Sequence, residues 1–141
     1  MIRNLLPSDM EAVLDIWLHA SIQAHAFISP LFWESKVADM REIYLPASVT
    51  YVYEEEGLVK GFVSLYEDTV AALFVAPAYQ GNGIGKNLLN KAKSLRQHLT
   101  LSVYRENQKS VAFYEGCGFV ATAEKVDEHT DQREIVMQFN P

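Results

Sequence analysis

Cysteine, long apolar runs and basic residues are all scarce in this sequence. The 141 residues include one cysteine, Cys117, so an internal disulfide is excluded, and no group of thiols or histidines indicates a structural zinc site. No apolar run approaches the roughly 20 residues that a membrane helix needs. The first four residues lack the basic and then apolar pattern of a signal peptide. We therefore expect a cytoplasmic protein in a reducing compartment, with no membrane partner.

The shortage of basic residues bears on the possible partners. Lys and Arg number 12 against 18 Asp and Glu, which gives a formal net charge of −6. Such a surface repels phosphate polymers unless its cations are concentrated in a patch, and the sequence shows none. We expect no nucleic-acid partner, and an acidic groove would modestly favour a cationic substrate.

The composition is otherwise that of a globular protein. Apolar residues make up 49% of the chain and charged residues 21%, a mixture that can bury a core. The length is that of one compact domain, and no repeat or linker divides it. We predict a single domain over residues 1–141.

Hydrophobic periodicity predicts alternating helices and strands. Ser8 followed by Glu11 resembles a capping box, so the first helix is predicted over residues 9–24. Further helices are predicted over residues 33–44, 84–95 and 109–115, and strands over residues 50–54, 58–66, 70–75, 99–103, 119–126 and 133–139. The strand over 70–75 is the most continuously apolar and is predicted to be buried. The predicted order is β α α β β β α β α β β, an α/β chain with a mixed sheet.

A glycine-rich turn over residues 80–86 lies between the apolar strand and an amphipathic helix. Its glycines let the backbone approach a ligand closely, and the helix N-terminus offers free N–H groups to an anion. The spacing matches neither the Walker loop nor the dinucleotide fingerprint. The turn predicts a diphosphate site, and a merely tight connection is the alternative.

The residues around this turn resemble a known family. Residues 73–89 look like motif A of the GCN5-related N-acetyltransferases, and residues 106–119 resemble the family's segment of an asparagine, then a tyrosine, then Gly-Phe. The order of elements is similar too, so the resemblance covers essentially the whole chain. It implies the GNAT fold, a mixed and mostly antiparallel sheet flanked by about four helices, in a small bacterial member.

The resemblance implies acetyl-coenzyme A as cosubstrate, and the lack of grouped thiols and histidines predicts no metal. It implies that the pantetheine arm runs beside the third long strand and the pyrophosphate lies on the turn, and the cofactor-binding candidates are Phe74, Val75, Gln80, Gly81, Asn82, Gly83, Ile84, Gly85, Lys86 and Asn107. Tyr114 matches the family's general acid. The alternatives are that Asn107 is only a helix N-cap and that Tyr114 is only a packed tyrosine.

The position of the general base departs from the family pattern. Several relatives have a glutamate five residues before the asparagine, where this chain has Ser102, which cannot accept the proton of an amine. The proton then passes along water to solvent or to Tyr66, Glu67, Asp68 or His25. His25, Phe27 and Tyr66 are the candidates for the acceptor groove, and a plain core role is the alternative for the aromatic residues there.

The resemblance implies transfer of acetyl from acetyl-coenzyme A to a primary amine by direct attack in a ternary complex. The short chain and the segment 25–28 look like a bacterial subgroup that acetylates protein lysines, so a protein lysine or N-terminal amine is the favoured acceptor. A small-molecule amine, such as a polyamine or an aminoglycoside, is one alternative. A non-catalytic module that senses acetyl-coenzyme A is another, and either a monomer or a homodimer is compatible with the sequence.

Overall fold

The computed structural model describes residues 1–141, built on a single sheet of seven strands. The strands are β1 (Ile2–Asn4), β2 (Val49–Glu55), β3 (Leu58–Tyr66), β4 (Thr69–Val75), β5 (Leu99–Tyr104), β6 (Val120–Val126) and β7 (Arg133–Phe139). The helices are α1 (Met10–Ala24), α2 (Pro30–Asp39), the single turn α3 (Leu45–Ala47), α4 (Ile84–Leu95) and α5 (Gln108–Gly116). The predicted α/β class and order of the main elements are confirmed.

The sheet has the order β1-β2-β3-β4-β5-β7-β6, and its centre is split. All neighbouring strands are antiparallel except β4 and β5, which are parallel and meet at one pair, Thr69 and Thr100. Beyond that pair the two strands diverge. The sheet therefore has an internal open edge, which positions the site.

Strand β4 is less buried than its apolar sequence predicts. Only Val70 is fully buried, Ala71 is exposed, and Leu73 to Val75 are half-buried. The prediction of a buried strand was wrong because β4 borders the opening instead of a packed neighbour.

The start of α1 also differs from the prediction. Ser8 and Glu11 form no capping box, and the carboxylate of Asp9 instead accepts the backbone N–H of Leu6 at 2.7 Å. The same carboxylate pairs with the Arg3 guanidinium of β1 at 2.7 Å, which lowers the pKa of Asp9. A contact between β1 and the helix start replaces the local capping pattern.

The second helix begins earlier than predicted. Ser29 caps it by accepting the N–H of Leu31, and Pro30 occupies the first turn, where no N–H donor is required. A π turn over Met40–Tyr44 then leads into α3, which contains Pro46. The wider turn lets the helical path continue past a proline that was predicted to end it.

Two clusters of apolar side chains lie on opposite faces of the sheet. Helices α1 and α2 cover one face with Val13, Trp17 and Trp33, and α4 packs Leu88 and Leu89 on the other face. The amphipathic α4 packs on β3 and β4, and its N-terminus lies beside the end of β4, since a Cβ atom at Gly85 would lie 3.7 Å from Val75 Cγ2. Packing against the sheet thus holds that helix end in place.

Gly61 on β3 allows this close approach. A Cβ atom there would lie 3.0 Å from the Phe74 carbonyl oxygen and 3.1 Å from Leu88 Cδ1. We expect Gly61→Ala to lower the free energy of unfolding by about 1–3 kcal/mol, since overpacking forces the backbone or α4 to shift. Urea denaturation measures this change. Gly116→Ala is the control, because its Cβ meets nothing within 4 Å, and equal losses in both variants would contradict the packing argument.

Candidate active site

The opening between β4 and β5 forms a cleft of about 220 Å³. The two strands supply its walls, α1 and α2 contribute Trp17 and Trp33, and α5 contributes Ser110 and Tyr114. His25, which follows α1, and Asn107, which precedes α5, line it as well. Glu134 of β7 and Ser102 of β5 also line it. The cleft therefore collects side chains from both ends of the chain.

The backbone of β4 offers free hydrogen-bond donors to this cleft. The N–H of Ala76 donates to the Lys60 carbonyl at 2.8 Å, and Phe74 lies opposite Phe62 in the same register. Because pairs in an antiparallel ladder alternate, the Phe74 backbone faces β3, whereas the N–H groups of Leu73 and Val75 face the opening. An extended ligand that contains amides fits this edge as an added strand would.

The glycine turn presents a second set of donors. Gly81 and Gly83 have φ values of +84° and +82°, and a Cβ atom at either would meet no neighbouring atom within 4 Å. The first helical bond of α4 runs from the N–H of Asn87 to the Gly83 carbonyl at 3.0 Å. The N–H groups of Ile84, Gly85 and Lys86 therefore have no acceptor within the helix. This open cradle fits a diphosphate.

The other side chains of the turn shape it. Gln80 Nε2 donates to the Val75 carbonyl at 3.0 Å, and Asn82 Nδ2 donates to the Tyr79 carbonyl at 3.4 Å. Ile84 is buried, so only its backbone is available to a ligand, while Lys86 is exposed. Main-chain N–H groups and the Lys86 side chain are therefore the groups that this turn offers to an anion.

Tyr114 lies on α5 with its side chain almost fully buried at the cleft. Its ring packs edge-on against Phe119 at a centroid distance of 5.6 Å. Burial, together with the nearby Cys117, raises the pKa of the phenol, so it stays protonated at neutral pH. A protonated phenol at this point is suited to donate a proton.

Asn107 joins α5 to the far side of the cleft. Its Oδ1 accepts the N–H of Ser110 at 3.2 Å, which makes it the N-cap of α5. Its Nδ2 lies 3.3 Å from Nε2 of His25, a residue 82 positions earlier in the chain. The side chain therefore connects the start of α5 to the residue that follows α1.

His25 is only 6% exposed and stacks on Trp33 at 5.1 Å. Burial lowers the pKa of its imidazole to about 4, so the ring is neutral and Nε2 accepts from Asn107. A neutral ring whose Nε2 is already bonded is a poor proton acceptor for a substrate.

The pKa of His25 predicts acid sensitivity. The pKa of His25 is about 4 in the folded protein and 6.5 in the unfolded chain, so only the unfolded chain gains a proton between these pH values. The free energy of unfolding is therefore at its full value above pH 6.5 and decreases as the pH falls toward 4. His25→Gln has no titratable ring at this position. Between pH 7 and pH 4 its free energy of unfolding should therefore decrease by about 3 kcal/mol less than that of the wild type. Urea denaturation at both pH values tests this. His19→Gln is the control, because the side chain of His19 is 60% exposed. Parallel pH curves for the wild type and His25→Gln would overturn the prediction.

The other predicted site residues lie in different places. Phe27 packs on His25 and on Tyr104, with ring centroids 5.7 Å and 5.8 Å apart, and so borders the cleft. Tyr66 is 53% exposed and pairs with Thr69, where β4 and β5 meet, and it does not line the cleft. Of the three residues predicted for the acceptor groove, His25 and Phe27 lie together at the cleft, and Tyr66 lies apart from them.

Three acceptor-side residues were missed by the sequence analysis. The Tyr104 hydroxyl donates to Asp127 Oδ2 at 2.6 Å, and Glu134 lines the cleft beside them. Burial and the nearby Asp127 raise the pKa of Glu134. They lie outside both motifs, and only strand pairing brings them to the site.

A split mixed sheet, a helix N-terminus open to a diphosphate and a free strand edge together define an acyl-coenzyme A-dependent N-acyltransferase. Residues 46–121 match the family model described as "Acetyltransferase (GNAT) domain". The chain therefore belongs to the GNAT acetyltransferase family. The predictions of the family, of an acetyl-coenzyme A-dependent N-acetyltransferase and of the GNAT fold are confirmed.

Similar proteins support the same assignment. The chain is 38% identical over 120 residues to the peptidyl-lysine N-acetyltransferase YiaC of Escherichia coli K12, covering 84% of this chain and 82% of that protein. It is 30% identical over 122 residues to the peptidyl-lysine N-acetyltransferase YjaB of the same organism, covering 86% and 82%. The structure of PaiA N-acetyltransferase from Thermoplasma acidophilum in complex with coenzyme A has a TM-score of 0.86 at 21% identity, covering 100% of this chain and 98% of that one. This last likeness shows the fold.

Two further findings concern membranes and metals. No helix of the structure has both the length and the apolar character required to cross a bilayer. No three His, Cys, Asp or Glu side chains are grouped so as to hold a metal ion.

Proposed function

We propose that this enzyme transfers the acetyl group of acetyl-coenzyme A to lysine side chains of proteins. The observation that carries the proposal is the similarity to YiaC and YjaB, both named peptidyl-lysine N-acetyltransferases, over more than four-fifths of the chain. The net charge of −6 and the carboxylate of Glu134 at the cleft suit a cationic acceptor. A protein N-terminal amine is the related acceptor that must be tested beside lysine.

The cofactor-binding roles follow from the open donors. The N–H groups of Ile84, Gly85 and Lys86, in a turn shaped by Gly81 and Gly83, bind the pyrophosphate, and Lys86 adds one positive charge. Gln80 and Asn82 maintain the turn through their carbonyl contacts.

The acyl-transfer roles lie deeper in the cleft. The N–H groups of Leu73 and Val75 bind the pantetheine arm, and one of them stabilises negative charge on the acetyl oxygen during attack. The Phe74 side chain forms part of the wall. Tyr114 donates its proton to the departing sulfur, which needs an acid that is protonated at neutral pH.

Asn107 and His25 maintain the shape of the cleft. The Nδ2 to Nε2 contact at 3.3 Å connects the start of α5 to the end of α1. Phe27 supports His25 from the side that borders the acceptor. We assign these residues to positioning the acceptor region and leave Tyr66 out of it, since it does not line the cleft.

We propose that residues 1–141 act as one domain in the cytoplasm. Both oligomeric states, monomer and homodimer, stay predictions. In a homodimer the second copy would pair with β6, an edge strand whose seven residues are all exposed.

The deciding experiment compares matched amines. Purified enzyme and acetyl-coenzyme A are incubated with a peptide that carries one lysine and a blocked N-terminus, and with a peptide that carries arginine instead and a free N-terminus. A polyamine and an aminoglycoside complete the panel, and thiol release with mass spectrometry identifies the product. Turnover on the blocked lysine peptide supports the proposal, whereas turnover confined to another amine overturns the lysine assignment.

A further inference from the structure

This inference rests on the proposed function and concerns the proton of the acceptor amine. A lysine side chain has an ordinary pKa near 10.4, so it arrives as an ammonium ion and must lose a proton before its nitrogen can attack. The cleft is lined by four titratable side chains: His25, Tyr104, Tyr114 and Glu134.

Three of these four are unsuited to accept that proton. His25 is neutral with its Nε2 already bonded to Asn107. Burial raises the pKa of both Tyr104 and Tyr114, so both phenols are protonated at neutral pH. Glu134 is the carboxylate of the cleft.

Strand pairing places Glu134 near the position that lacks a carboxylate. In the β5–β7 ladder Tyr104 lies opposite Glu134 and Ser102 lies opposite Val136. Residues directly opposite share a face, and those two apart on one strand share it as well, so Ser102 and Glu134 are diagonal neighbours on one face. Diagonal neighbours lie about 7–8 Å apart, within reach of a long side chain.

The surroundings of Glu134 favour its action as a base. Burial and Asp127 raise the pKa of this carboxyl, and Lys125, opposite it on β6, acts in the other direction. Asp127 itself is held by the Tyr104 hydroxyl and by the backbone N–H of His129. Asp127 and Lys125 are thus the charged groups that act on the Glu134 carboxyl, and Tyr104 lies opposite it on β5.

We propose that Glu134 is the proton acceptor for the substrate amine, in place of a carboxylate at Ser102. Its carboxylate takes one proton from the ammonium group, and the freed nitrogen pair forms a bond to the acetyl carbonyl carbon. The carbon–sulfur bond then breaks with its electron pair on sulfur, which takes the proton of Tyr114. The second proton of the nitrogen returns through water to the Tyr114 oxygen, and Glu134 releases its proton to solvent.

The first test is Glu134→Gln, which keeps the shape of the side chain and removes the base. We expect kcat with the accepted amine to fall by about 10–10²-fold at pH 7, while the Kd for acetyl-coenzyme A stays within about twofold. The wild-type rate falls as the pH drops through the raised pKa of Glu134, and the variant should lose that acid limb. A merely structural role would not remove it.

The control is Glu124→Gln, which changes the net charge equally. Glu124 lies on β6 opposite Ile135, one residue along from the Lys125 and Glu134 pair and so on the other face of the sheet. It should keep the wild-type rate and pH profile. Urea denaturation of both variants at pH 7 checks that each is folded.

A rescue variant makes the test sharper. In the Glu134→Gln background, Ser102→Glu places a carboxylate on the same face of the sheet from the neighbouring strand. The kcat of this double variant should be about tenfold or more above that of Glu134→Gln alone. An unchanged rate and pH profile in a folded Glu134→Gln would overturn the proposal. If only a non-lysine amine is turned over, the lysine assignment fails, and the same variants test Glu134 with that amine.

Discussion

Tyr114→Phe is expected to lower kcat by about 10²–10³-fold, because the variant keeps the ring and loses the only proton that the phenol offers. The side chain is almost fully buried, so the ring packing on Phe119 at 5.6 Å is retained. Burial holds the pKa of the hydroxyl above its ordinary value, so the wild-type group is protonated at neutral pH. The loss should appear in kcat, while the Kd for acetyl-coenzyme A stays within about twofold.

Steady-state kinetics with the accepted amine, combined with calorimetry for acetyl-coenzyme A, separates these two quantities. Tyr51→Phe on β2 is the matched control, since that half-buried tyrosine lies outside the cleft. If kcat of Tyr114→Phe remains within threefold of the wild type, Tyr114 is a packing residue and the acid must be found elsewhere.

Gly83→Val should strongly weaken the binding of acetyl-coenzyme A. Gly83 is the N-cap of α4 with φ +82°, a region that a β-branched residue does not adopt without a cost of about 1–2 kcal/mol. Relief of that strain turns the adjacent N–H groups away from the diphosphate. We expect the Kd to rise by about 10²-fold or more, since several bonds to a charged group are lost together.

Gly57→Val separates the loss of the cradle from the general cost of backbone strain. Gly57, at the turn between β2 and β3, has φ +79° and, like Gly83, open space around a Cβ. Both variants should lose similar stability in urea denaturation, but calorimetry should show weakened binding in Gly83→Val alone. Equal affinities in the two variants would refute the anion site.

The glycine turn and α4 were predictable because their signals are local. Gly81, Gly83 and the apolar spacing of α4 lie within 20 consecutive residues, and each acts through its own backbone or its neighbours along the helix. The N-cap role of Asn107 was predictable for the same reason, since it depends on Ser110 three residues later.

The start of α1 shows where local signals fail. Ser8 and Glu11 match a capping pattern but form no capping box. The residue before α1 is instead Asp9, whose carboxylate is held by Arg3 on β1 at 2.7 Å. A contact that depends on the pairing of β1 with β2 outweighs a pattern of four consecutive residues.

The sequence by itself determined the class of fold and the family and predicted an anion site at the glycine turn, because these depend on short-range patterns of glycine, apolar spacing and motif residues. The tertiary structure alone decided that β4 is half-open, that His25 meets Asn107 across 82 positions, and that Glu134 lies on the same face as Ser102. The physical reason is that strand register and helix packing bring distant segments together. Free backbone N–H groups, shifted pKa values of buried side chains and residues that share a sheet face all result from these long-range contacts. None of them is a property of any single segment.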